Sequence, residues 1–297
     1  MKILVTGVNG QLGYDVFLEA TIRHHEVIGT GSKDESVFAD YFKVDLTDEK
    51  DTIDSILSIK PDVIIHCAAW TNVNTAEEDY NHEKVRDINV NATTYIALAA
   101  KILNIKMVYI STDYVFGGEG TRPWKPDDTN FNPLNYYGKT KLDGELAVKR
   151  IVDKYFIVRT SWLFGYNGNN FVNTIIHLGA TNDKLNVIDD QIGSVTYTVD
   201  LAKVILDMIE TDKYGTYHVT NFGEYISWFD FAKTIFLMVG NHHVDLRAIR
   251  SIEYPSSVKR PLNSRLNKDK LLTEGFDRLP HWKDALKRYL HEMKMIN

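Results

Sequence analysis

The sequence predicts an α/β fold in which helices cover both faces of a parallel sheet. Three observations predict it. Short runs rich in Val and Ile recur through the first half of the chain. Longer segments with apolar residues at helical spacing lie between them. The short runs are apolar throughout and do not alternate, as in strands buried on both faces. Such alternation of strand and helix implies right-handed crossovers and a doubly wound sheet.

Taken in order, residues 3–6 read as the first strand and 11–22 as the first helix. Strands follow at 26–29 and 42–44, then a helix over 48–59 that Pro61 ends. Residues 62–66 form the fourth strand, 76–103 one long helix and 106–110 the fifth strand. A helix over 136–150 and a strand over 155–160 come next. The chain then turns polar through Tyr166-Asn167-Gly168-Asn169-Asn170. Beyond it lie a helix at 171–178, a strand at 185–188, a helix at 198–210 and a strand at 216–219. Ser227 is a good N-cap for a helix reaching 239, and 280–293 reads as the last helix. Trp228, Phe229, Phe231 and Phe236 fit the core face of the former.

Composition narrows the function. The 297 residues carry 40 acidic and 34 basic side chains, a net charge of −6, which speaks against a nucleic-acid partner. A single cysteine, Cys67, precludes an intramolecular disulfide and fits a reducing cytoplasm. No stretch approaches the roughly 20 apolar residues of a membrane span. The N-terminus lacks the features of a signal peptide, so a cytoplasmic protein without a membrane partner is expected. The ten histidines form no His-x-x-x-His pair or Cys–His cluster, so no metal is expected. His66 reads as structural.

Gly7, Gly10 and Gly13 follow the first strand and open a helix. Gly7 suits a tight turn, Gly10 close approach to a pyrophosphate, and Gly13 close helix–strand packing. With the helix N-terminus as an anion site, this reads as a dinucleotide cradle in a Rossmann-type fold. The organisation expected is a cofactor domain over 1–165, rejoined by 186–222. A smaller substrate-binding lobe then comprises 166–185 and 223–297. No acid ends the second strand, and Ser32 and Lys33 stand where a 2′-phosphate would lie. NADPH is therefore favoured, with NADH possible. Asp45 and Leu46 fit either an adenine contact or a helix start.

Tyr137 and Lys141 are four apart, hence on one face of a helix. A phenol near pKa 10 is a poor acid at neutral pH unless a neighbouring ammonium favours the phenolate. Such a pair can deliver a proton to a carbonyl oxygen as hydride reaches its carbon. Thr112, just past the fifth strand, supplies a second donor.

Several runs carry a resemblance: Thr6-Gly7-Val8-Asn9-Gly10-Gln11-Leu12-Gly13, Ser111-Thr112-Asp113-Tyr114-Val115-Phe116, Tyr137-Gly138-Lys139-Thr140-Lys141, Arg159-Thr160-Ser161-Trp162 and Arg260-Pro261-Leu262-Asn263-Ser264. The chain resembles the extended short-chain dehydrogenase/reductase family, and within it the branch acting on dTDP-linked 4-keto-6-deoxysugars. The resemblance implies reduction of the C4 ketone of dTDP-4-dehydro-L-rhamnose to dTDP-L-rhamnose. It implies Tyr137 as acid, Lys141 as its partner on the nicotinamide ribose, and Thr112 on the keto oxygen. Gly10, Gln11 and Leu12 would meet the pyrophosphate, and Ala68, Ala69 and Thr71 would line the cofactor. Asn89 would order the cofactor site. Asp113, Tyr114, Trp162, Asn170 and Arg260 would contact the sugar nucleotide. Trp70, Asn74 and Val195 depart from the pattern of that branch. Two alternatives stay open: a different nucleotide-linked 4-ketosugar, or a non-catalytic cofactor-binding regulatory subunit. The full Thr–Tyr–Lys set opposes the second. A monomer or homodimer is expected.

Overall fold

Seven strands hydrogen-bond side by side in the structure, a computed structural model that describes residues 1–296. They are β1 (Lys2–Thr6), β2 (Glu26–Gly31), β3 (Tyr41–Lys43), β4 (Val63–His66), β5 (Lys106–Thr112), β6 (Tyr155–Thr160) and β7 (Gly215–His218). All pairs are parallel, in the order β7-β6-β5-β4-β1-β2-β3. The order reverses between β1 and β4, and ligands gather in the crevice outside the strand ends at such a point.

The unbroken apolar runs follow from burial on both faces of the sheet. Along β1, Ile3 and Val5 enter one core layer and Leu4 the other. The same division separates Val63 and Ile65 from Ile64, and Phe156 and Val158 from Ile157. One face is covered by α1 (Gln11–Ile22) and Thr198–Ile209, which pack on each other. The other face carries α2 (Glu49–Ile59), α3 (Ala92–Leu103) and α4 (Tyr136–Ile151). Asp48 caps α2 by accepting from the Asp51 N–H at 2.8 Å, and Lys60 closes it in a left-handed turn before Pro61.

The long helix expected over 76–103 is broken. Val73–Ala76, a 3-10 turn at Asp79–Asn81 and His82–Arg86 precede a π turn at Asp87–Asn91 that runs into α3. Glu78 is extended, and the Asn81 side chain donates to the Thr75 carbonyl at 2.8 Å, which competes with a helical ladder. The fifth strand is longer than expected, because Ser111 and Thr112 still pair with Arg159 and Thr160.

A second core lies outside the sheet. Phe164, Tyr197, Phe231, Trp282 and Tyr289 pack between α5 (Phe171–Thr181), α6 (Trp228–Met238) and α7 (Trp282–Glu292). Lys184–Ile188 pairs in parallel with Asp245–Ile249, a strand that its polar composition concealed. Three two-residue strands, Ile226–Ser227, Ile192–Gly193 and Asn263–Ser264, form a small sheet beside the crevice. No helix among the described residues is long and apolar enough to cross a membrane.

Candidate active site

The crevice is a cleft of about 930 Å³ outside the carboxyl ends of β1, β4 and β5. The glycine loop forms one wall. Gly7 is left-handed at φ 71°, and a Cβ there would lie 2.7 Å from the Ala68 backbone. A Cβ on Gly13 would collide with the Gly7 carbonyl, so β1 and α1 meet backbone to backbone. No side chain caps α1 at Gly10, which leaves the first-turn N–H groups open to an anion. Gln11, Leu12, Asp45, Leu46, Ala68, Ala69 and Thr71 line the same cleft, as do Ser32 and Lys33. Lys43 is paired with Asp34 at 2.7 Å, whereas Lys33 has no acidic partner within ion-pair reach among the described residues.

Thr112, Asp113, Tyr114, Tyr137, Lys141 and Trp162 line the other end. Asn135 caps α4 by accepting from the Gly138 N–H at 2.9 Å, which sets Tyr137 in the first helical turn and Lys141 one turn below. The Tyr137 phenol is driven up by burial and by the neighbouring Asp113 charge, while the Thr112 hydroxyl offsets part of the rise. The phenol therefore stays protonated, as a proton donor must. Lys141 is brought down to about 7 by burial, with Glu145 opposing the shift. Its ammonium sits 4.1 Å from the centre of the Tyr109 ring. Lys141 is thus close to even division between its two charge states at neutral pH, and an anionic phenolate above it would favour the ammonium.

Asp113 is pushed up to about 6 by burial, with the Ser264 and Thr112 hydroxyls offsetting part of the effect. One of its carboxylate oxygens is buried with no hydrogen-bond partner among the described residues. His66, by contrast, is structural. It bridges Thr6 at 2.7 Å and Thr93 at 3.1 Å, and burial lowers it to about 3, so it stays neutral.

Behind the catalytic face lies an ion pair that sequence reasoning missed. Arg159 and Glu145 are both fully buried and joined by two hydrogen bonds, 2.8 and 2.7 Å. Ser111 donates to the same carboxylate at 2.5 Å. Arg159 also donates to the Pro126 carbonyl at 3.2 Å and lies 5.0 Å from the Phe116 ring centre. Ser111 precedes Thr112, and Glu145 is one turn beyond Lys141, so the pair links the strand that carries Thr112 to the helix that carries Tyr137 and Lys141.

Three expected site residues do not line the cleft. Asn89 does not line the cleft; it bonds both backbone groups of Trp70 and donates to Thr140 Oγ1 at 3.0 Å. It therefore ties the loop after β4 to α4. Asn170 is consumed by capping α5 and by bonds to the Gly165 carbonyl and the Tyr289 hydroxyl, and Asn169 lines the cleft in its place. Arg260 lies outside the cleft lining, beside Tyr114, and donates to Asn74 Oδ1 at 2.6 Å. Trp228, assigned to the core from its spacing, packs against the second core and also lines the cleft, stacked on Trp162. Trp162 itself is left-handed at φ 50°, a conformation costing roughly 1–3 kcal/mol for a bulky residue.

The strand order and this arrangement place the chain among the extended short-chain dehydrogenase/reductases. Residues 1–295 match the family model described as RmlD substrate binding domain, and the chain belongs to that family. A dTDP-4-dehydrorhamnose reductase from Aggregatibacter actinomycetemcomitans is 38% identical over 300 residues, covering 96% of this chain and 97% of the relative. The crystal structure of a dTDP-4-dehydrorhamnose reductase ortholog from Clostridium acetobutylicum is similar at a TM-score of 0.91 and 41% identity, covering 99% of this chain and all of the other, 100%. That of a dTDP-4-dehydrorhamnose reductase from Bacillus anthracis, in complex with NADP, has a TM-score of 0.88 and 38% identity, covering 98% and 99%.

The buried charges set two measurable expectations. Arg159→Met strands Glu145 inside the protein and is expected to lower the unfolding free energy by about 3–5 kcal/mol in urea denaturation. A loss below about 1 kcal/mol would show that the pair is not a structural tie. For Asp113, the folded pKa lies above the unfolded value, so its ionisation opposes folding increasingly from about pH 4 to 6 and fully above that. Asp113→Asn is therefore expected to stabilise the protein by roughly 2–3 kcal/mol at pH 7 and hardly at all at pH 4.

Proposed function

We propose that the chain reduces the C4 ketone of dTDP-4-dehydro-L-rhamnose to dTDP-L-rhamnose with hydride from NAD(P)H. The observation carrying this reading is one cleft that joins a backbone phosphate cradle to Thr112, Tyr137 and Lys141, which line its other end together. The residues present fit a dinucleotide. The Gly7 and Gly13 positions leave no room for a Cβ, and the uncapped N-terminus of α1 offers N–H donors to a pyrophosphate. When bound, the nicotinamide supplies the hydride. Gly10, Gln11 and Leu12 hold the phosphates, Asp45 and Leu46 the adenine end, and Ala68, Ala69 and Thr71 the central wall.

The chain's own groups do the rest. Thr112 donates to the ketone oxygen and polarises it. Tyr137 gives that oxygen its proton, and Lys141 stabilises the phenolate left behind. Asp113, Tyr114 and Trp162 bound the sugar. Asn170 and Arg260 act behind these residues, through α5 and through Asn74. The unpaired ammonium of Lys33 beside Ser32 suits a 2′-phosphate, so NADPH is preferred with NADH tolerated. The enzyme works in the cytoplasm as a monomer or homodimer. Residues 1–165 and 186–222 serve the cofactor, and 166–185 and 223–297 the substrate.

The reading is tested by following NADPH oxidation with dTDP-4-dehydro-L-rhamnose and assigning the product by NMR. No turnover with either cofactor would overturn it, and a product epimeric at C4 would replace the sugar assigned. Tyr137→Phe is expected to lower kcat by about 10²–10⁴ while still binding NADPH. Lys33→Ala is expected to raise KM for NADPH by about tenfold and leave that for NADH nearly unchanged. Equal effects on both cofactors would remove Lys33 from 2′-phosphate recognition.

A further inference from the structure

We propose that Trp228 is a positioning residue for the sugar nucleotide, acting by holding Trp162 in the conformation that presents its indole to the cleft. The inference rests on the functional reading above and adds a residue to it.

Thr160 stands opposite Thr112 in the register of β6 with β5, so Trp162 leaves the sheet two residues beyond a partner of the catalytic threonine. Its left-handed backbone is one that L side chains of this size rarely adopt, so surrounding contacts must enforce it. Two contacts do so. The Trp228 indole lies parallel to that of Trp162, with ring centres 3.7 Å apart and an interplanar angle of 14°. Gly193 closes on the same ring: a Cβ there would fall 3.1 Å from Cε2 and Cζ2 of Trp162. The indole N–H of Trp162 has no protein acceptor among the described residues, so it is open to a bound molecule.

Both contacts spring from one small sheet. Ile226 pairs with Gly193, and Ser227 caps α6 in a reciprocal box with Asp230, which fixes Trp228 as the first residue of the helix. Ser264 pairs with Gly193 on the other side and turns its hydroxyl towards Asp113. Phe171, at the start of α5, supports Trp228 with ring centres 4.5 Å apart. The second core thereby reaches the reacting end of the cleft through a single stacked pair. Trp228 is half-buried and faces the cleft, unlike the fully buried Phe231 and Ile235 of the same helix.

The test compares Trp228→Leu, Trp228→Phe and Gly193→Ala with the wild-type enzyme in the NADPH oxidation assay. Trp228→Leu is expected to raise KM for the sugar nucleotide about tenfold, with kcat and the KM for NADPH changed by less than about threefold. Trp228→Phe retains a stacking face and is expected to recover most of the loss. Gly193→Ala crowds Trp162 from elsewhere and is expected to reproduce the same split with Trp228 intact. The near-ultraviolet circular dichroism of the stacked indoles should vanish in both Trp228 variants. An unchanged sugar KM in Trp228→Leu and Gly193→Ala overturns the inference, as does a rise shared equally by sugar and cofactor. Should Trp228→Leu not fold, Gly193→Ala decides alone. A wild-type enzyme without turnover overturns the functional reading and this inference with it.

Discussion

The buried Arg159–Glu145 pair is the constraint on which the catalytic half of the molecule depends. Taking two charges out of water costs several kcal/mol each, and only good geometry with full hydrogen bonding repays it. The pair has both. Its carboxylate takes two bonds from Arg159 and one from Ser111, and the guanidinium reaches the Pro126 carbonyl and rests near Phe116. Because each charge needs all of its partners, β5, β6, α4 and the loop bearing Pro126 are held in one relative position. Thr112 follows Ser111 and Lys141 precedes Glu145 by one turn. Their mutual placement is thus a consequence of satisfying buried charge, not of local propensity.

Around that rigid frame the cleft holds groups that a stability-optimised protein would avoid. An Asp113 oxygen is buried without a partner among the described residues, Lys141 is held near half-charge by burial, and Trp162 is left-handed. Each is unfavourable for folding taken by itself. Functional sites characteristically carry such local strain against a well-packed background.

The two cores divide the work. The sheet core sets the phosphate cradle, since Gly7 and Gly13 let β1, the loop after β4 and α1 approach backbone to backbone. The second core, rich in aromatic residues, presents Asn169 and Trp228 to the same cleft. Arg260 joins them indirectly, by bonding Asn74 and standing beside Tyr114. Asn74 is one of the departures from the related branch, and here its amide oxygen gives Arg260 a neutral acceptor.

The parallel sheet, the glycine turn after β1 and the placement of Tyr137 and Lys141 on one helix were legible in the sequence. Each depends on short-range rules: unbroken apolar runs, glycines at a strand–helix turn, and side chains four apart on one helix face. Long-range contacts settle the rest. Arg159 finds Glu145 and Trp228 finds Trp162 across separations that no periodicity encodes. The exchange of Asn170 for Asn169 turned on which neighbour capped α5, since a side chain spent on a helix end cannot also face the cleft. The helix expected over 76–103 is interrupted where Glu78 is extended and the Asn81 side chain bonds the Thr75 carbonyl. Buried polar groups must be satisfied wherever their partners lie in the chain, and only the folded molecule shows where that is.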